Sequence, residues 1–129
     1  MTHPHAQLAA QAYAAFGSGD MQVLDRLIAD DVQWHISGDS AISGTYKGKQ
    51  EVFGFFGKLA EISQGTFSLD VHDIVASDDH TVVLTRATGE RDGLQHDTMD
   101  VHVIHLSDDQ ITSFWSFNWD QAESREFWG

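Results

Sequence analysis

The sequence predicts an α+β fold in a single domain, residues 1–129, with three N-terminal helices packed on one face of a strongly curved antiparallel sheet that encloses a pocket. Three observations lead there. Apolar residues recur at helical spacing through most of the first half, and from residue 66 onward they alternate with polar ones between turn signals. The third is the stretch His96–Leu106. In a strand of period two, His96, Thr98, Asp100, His102, Ile104 and Leu106 share one face, and Met99, Val101, Val103 and His105 share the other. A titratable row that merges into an apolar row suits a wall running from a pocket mouth into a core.

Residues 5–16 are alanine-rich, with Leu8, Ala9, Ala12, Tyr13 and Phe16 on one stripe of an amphipathic helix. Gly17-Ser18-Gly19 ends it, and Asp20 caps a second helix running through Ile28. Val32–Ile36 reads as a short strand, and residues 37–48 as a glycine-bearing rim loop. The third helix, Lys49–Ile62, carries Val52, Phe53, Phe55, Phe56 and Leu59; Gly54 and Gly57 within it suggest close packing on the sheet. Strands follow at 66–76, 81–90, 94–106 and 111–118. The turns between them are 77–80, Asp92-Gly93 and 107–110, and Asp120 caps a short terminal helix. A two-residue turn at Asp92-Gly93 pairs Arg91 with Leu94, and hence Thr85 with Asp100 and Val83 with His102.

Composition narrows the function classes. Twenty acidic against seven basic residues give a net charge of −13 with histidines neutral, a surface that repels nucleic acid and anionic membranes. No apolar run approaches the roughly 18 residues of a membrane span, and the N-terminus lacks the order of a signal peptide, so a cytoplasmic protein is expected. There is no cysteine, hence no disulfide or thiolate chemistry. His102 and His105 lie on opposite faces, and His96 and His102 stand about 20 Å apart at roughly 3.3 Å per residue. No metal site and no cofactor are expected.

Three stretches carry a family resemblance: Tyr13–Met21; Ala29–His35 followed by Gly44-Thr45-Tyr46-Lys47-Gly48; and Asp108–Trp115. In order and spacing they resemble the SnoaL-like branch of the nuclear transport factor 2-like superfamily, over nearly the whole chain. The resemblance implies a cone-shaped, cystatin-like fold with an internal pocket, frequently dimeric through the outer sheet face. Members include polyketide cyclases, ketosteroid isomerases, epoxide hydrolases, dehydratases and proteins without known catalysis, so fold does not settle function. The isomerase tyrosine, base and second aspartic acid fall here on Ala12, Ile36 and His102, and none matches. The acidic residue that follows the tryptophan on the last strand of SnoaL-type cyclases is here Ser116, after Trp115.

The remaining candidate chemistry is Asp100 beside His102, with Asp100 orienting or charging the imidazole and His102 acting as acid or base. A structural hydrogen-bonded pair is the other reading of these two residues. Within reach of the carboxylate, the imidazolium is expected to be favoured and the His102 pKa raised. Parity places Thr112, Phe114, Ser116 and Asn118 inward, and Trp115 and Phe117 outward. Trp34 is expected inward, with His35 on the outer face or the rim. Substrate contacts then fall to Trp34, Phe56, Thr85, Phe114, Ser116 and Asn118. The expected ligand is a small hydrophobic molecule bearing a carbonyl or epoxide. The function is either cofactor-free acid–base catalysis of isomerase, cyclase or hydrolase type, or non-catalytic ligand binding or dimerisation. Met99, Val101, Val103, Trp115 and Phe117 mark a homodimer face, or a face covered by the chain's own terminal segment.

Overall fold

The computed structural model describes residues 2–129. Helix α1 (Pro4–Ser18) starts with proline at N1, where the missing N–H costs nothing, and its His3 Nδ1 accepts from the His5 amide at 3.0 Å. Gly19 ends it in the left-handed region at φ 72°, and Asp20 Oδ1 then caps α2 (Met21–Leu27) by accepting from the Val23 amide at 3.2 Å. Both helices precede the sheet, whereas α3 (Lys49–Ile62) comes only after two strands. The expectation of three N-terminal helices is corrected to two, with the third following the first two strands.

The strands are β1 (Ile28–Ile36), β2 (Gly44–Lys47), β3 (Ser68–Ala76), β4 (Thr81–Arg91), β5 (Leu94–Ser107) and β6 (Gln110–Asn118), in spatial order β2-β1-β6-β5-β4-β3. Two features depart from the sequence reading. Residues 44–47, expected as loop, form edge strand β2, whose Tyr46 faces Trp34 of β1. The sheet is also not wholly antiparallel, because β1 runs parallel to β6. Most of the chain separates these two strands, so no tight turn forces them antiparallel. The β4–β5 register is the expected one: Arg91 faces Leu94, Thr85 faces Asp100 and Val83 faces His102. Asp92 and Gly93, at φ 49° and 83°, make the two-residue turn that sets it.

The α+β cone encloses one core. Ala9, Ala12, Leu24, Ile28, Val32, Val52, Phe55, Leu59, Val83, Ile104 and Ile111 are buried in it. Gly54 and Gly57 do not serve close packing, for a Cβ at either would meet nothing within 4 Å. The last helix, α4 (Gln121–Trp128), is capped by Asp120 and lays Phe127 and Trp128 across the inner end of β5. Its neighbour Gly38, at φ 92°, adopts a backbone conformation that favours glycine, and a Cβ there would also displace the Gln121 side-chain end, 2.2 Å away at Oε1. No helix among the described residues is long and apolar enough to cross a membrane.

Candidate functional site

The inward face of β5 does what its period demands. His96, Asp100, His102 and Ile104 are buried, while Gln95, Asp97, Met99 and Val101 between them are exposed. The first four line a cavity of about 90 Å3 together with Tyr13 of α1, Trp34 of β1, Phe56 of α3 and Phe114, Ser116 and Asn118 of β6. Its walls are mostly apolar. Trp34 stacks on Phe114 with ring centroids 3.9 Å apart and meets the edge of Phe56 at 5.5 Å.

Tyr13 is the residue the sequence reading missed as chemistry, having placed it on an apolar helical stripe. Its hydroxyl hydrogen-bonds His102 Nδ1, and the two rings are nearly parallel. His102 Nε2 lies 4.0 Å from Asp100 Oδ2, so this pair is close without being directly hydrogen-bonded. A phenol donating to Nδ1 leaves Nε2 carrying the proton towards the carboxyl oxygen, the tautomer that suits both neighbours.

The electrostatics reverse one expectation. Burial pushes His102 down to about 3, whereas the sequence argument had the neighbouring carboxylate raising it. The carboxylate fails to win because it is itself buried. Desolvation first, then the charge of Glu123, pushes Asp100 up to about 7. Burial and then the Asp100 charge raise the Tyr13 phenol as well, so it keeps its proton. At neutral pH His102 is therefore an uncharged imidazole, and Asp100 is the group that titrates.

Two acceptors are left open. Asp100 Oδ1 and Asn118 Oδ1 are buried without a hydrogen-bond partner among the described residues, and the two residues face each other across β5 and β6. Such groups are costly to bury unless something donates to them. A second missed pair lies at the α4 end, where His96 Nδ1 is 2.9 Å from both carboxylate oxygens of Glu123. His96 was visible on the right face of β5, but its partner lies 27 residues away on another element.

Other assignments divide. Trp34, Phe56, Phe114, Ser116 and Asn118 line the cavity as expected. Thr85 does not: it is fully buried behind the lining, its hydroxyl donating to the Asp100 carbonyl at 3.4 Å. Thr112 is also corrected. The register shifts between His105 and Leu106, so Leu106 faces Ile111, and Thr112 donates to the His105 carbonyl while Ile111 takes the inward place. Asp108 and Asp109, at φ 52° and 62°, turn the chain just before this irregularity. His35 belongs to the outer face, stacked on Trp115 at 5.3 Å and bonded to Thr45. No group of three or more His, Asp or Glu side chains gathers as a metal site among the described residues.

A curved α+β cone around a largely apolar cavity with a short polar row defines a protein of the cystatin-like fold with an internal cavity. The SnoaL-like domain family matches residues 9–114, and the chain belongs to that family. An uncharacterised protein of Mycobacterium tuberculosis is 27% identical over 122 residues, covering 94% of this chain and 93% of its own. Among solved structures, Bal32a from a soil-derived mobile gene cassette superposes with a TM-score of 0.93 at 31% identity, covering 96% of this chain and 95% of its own. A protein of unknown function with cystatin-like fold from Xanthomonas campestris gives 0.90 at 31%, with 95% and 96% covered.

Proposed function

We propose that the protein binds a small, mostly apolar molecule carrying a carbonyl or enol group and moves a proton on it without a cofactor, with Asp100 as the acid–base group. The observation that supports this reading is the buried, unpartnered Asp100 Oδ1, beside the equally unpartnered Asn118 Oδ1, on two residues that line a largely apolar cavity. A carboxyl that titrates near pH 7 is matched to proton transfer at that pH, and burial raises Asp100 to about that value. The roles first given to the pair are thereby exchanged: Asp100 carries the proton, and neutral His102 is a fixed dipole held by Tyr13. In the ionised form Asp100 takes a proton from the carbon beside the carbonyl. The electron pair moves onto the carbonyl oxygen, to which the Ser116 hydroxyl of the cavity lining donates. Asp100 then returns the proton to carbon.

The test is exchange of the α-protons of cyclohexanone in deuterated water, followed by proton NMR. The wild type is expected to accelerate exchange over buffer, and Asp100→Asn to lose about 10²–10⁴-fold of that acceleration. A wild type that binds the ketone with no acceleration would leave the rival reading, a non-catalytic binding module.

The outer sheet face supports a homodimer as part of the same proposal. Met99, Val101 and Phe117 are exposed there, Val103 and Trp115 are half-buried, and Trp119 beyond the end of β6 is 86% exposed. Helix α4 packs on the inner face, so the terminal segment does not cover this row. Light scattering at micromolar concentration is expected to give twice the 14.3 kDa of one chain. A mass equal to one chain would refute the dimer.

A further inference from the structure

The inner cavity is small for the ligand its walls suggest. Its volume of about 90 Å3 is less than the roughly 150 Å3 of an engineered cavity that admits benzene. A second, outer cavity of about 420 Å3 lies between the α1–α2 corner, α3 and the start of β3. The two share six residues: Phe16, Leu24, Phe56, Leu59, Phe67 and Leu69. Only side chains divide them. Phe16 stands edge-on to Phe56 at 5.2 Å and to Phe67 at 6.3 Å, a partition of three half-buried rings that rotamer changes can open.

We propose that this outer groove is a binding site for an uncharged apolar chain or ring belonging to the same ligand whose polar head lies at Asp100 and Asn118. The inference rests on the reading of the inner cavity given above and extends it to the shape of the ligand: long, amphipathic, and polar at one end only. Three features of the groove favour this occupant. It adjoins the inner cavity, from which only the shared lining residues divide it. No charged residue lines it among the described residues, and Ser63 and Ser68 are its only hydroxyl-bearing side chains, so it offers nothing to an ionic tail or an acidic peptide. Its width also depends on glycine. A Cβ at Gly17 on α1 or at Gly57 on α3 would meet nothing within 4 Å, and both residues line the groove. Glycine costs helix stability relative to alanine and here serves no close packing. What it leaves is room.

The two readings separate in one titration series, using phenol and 4-alkylphenols with chains of two, four, six and eight carbons, by calorimetry at pH 6. Phenol, whose hydroxyl donates as an enol would, carries the polar head and ring without a chain, so its affinity is the reference for the series. The chain increments report on the groove. Affinity is expected to rise by about fourfold for each methylene that leaves water, and to stop rising when the groove is full. Gly57→Leu and Gly17→Leu each fill the groove from an opposite wall, and either is expected to cut the gain from the longer chains at least tenfold. Binding of phenol with no gain along the series would overturn the groove and leave the inner site standing. A gain that persists undiminished in both leucine variants would also overturn it, because the chains would then be resting elsewhere. Chains that bind with the predicted glycine dependence, while phenol binding is indifferent to Asp100→Asn, would support the groove and remove the head-group reading.

Discussion

Replacing Phe127 by alanine is expected to lower the unfolding free energy by about 3–5 kcal/mol, the range for deleting a fully buried aromatic ring. Phe127 is 1% exposed, its ring stacks on His96 at 4.8 Å and meets Trp128 edge-on at 4.9 Å. The surroundings have no slack to close the gap. Gly89 already approaches so closely that a Cβ there would lie 3.2 Å from the Phe127 ring, and Arg91 is committed to the Phe127 carbonyl at 2.8 Å. The loss reaches the site as well, since α4 also carries Trp128 to the cavity wall and Glu123 to His96. Urea unfolding should show a lower midpoint at unchanged slope. A shift worth less than about 1 kcal/mol, well below that range, would mean that α4 is not anchored through this ring.

How far the site could be read from the chain depends on the separation of its parts. The inward face of β5 was legible because the period of a strand is two and local, and the Asp92-Gly93 turn fixed its register against β4. The same logic failed on β6 at Thr112, where a register shift breaks parity and the alternating pattern continues without marking it. The bond between Tyr13 and His102 spans 89 residues, and Tyr13 fits an apolar helical stripe equally well, so no local signal reveals it. Strand β2 is four residues long, too short for alternation to distinguish from loop. The direction of the His102 shift was the deepest miss. Burial and a neighbouring carboxylate push an imidazole in opposite directions, and the balance depends on how dry the Asp100 side chain is, a property of the assembled cavity.

That balance gives the second large expected effect, visible in stability against pH. The unfolded His102 titrates near 6.5 and the folded one near 3, so between those values the unfolded chain binds more protons there and stability rises with pH. Asp100 works in the opposite sense. Its unfolded value is 3.8 and its folded value about 7, so between them the folded protein holds the extra proton and stability falls as pH rises. Each contribution has a slope of about 1.4 kcal/mol per pH unit, and over pH 4 to 6.5 they cancel. The wild type is therefore expected to show no net slope from this pair across that window. Asp100→Asn removes the falling contribution while keeping the side chain's shape. Relative to wild type, it should gain on the order of 3 kcal/mol as pH goes from 4 to 6.5. His102→Gln should do the reverse, losing a similar amount over the same interval. Urea unfolding of the three proteins at pH 4, 5 and 6.5 decides the matter, because the surface carboxylates are common to all and drop out of the differences. Differences that stay constant with pH would mean that neither group is shifted by burial. A slope of the same sign in both variants would mean that the opposed pair does not exist, and with it would go the basis for Asp100 as the proton carrier at neutral pH.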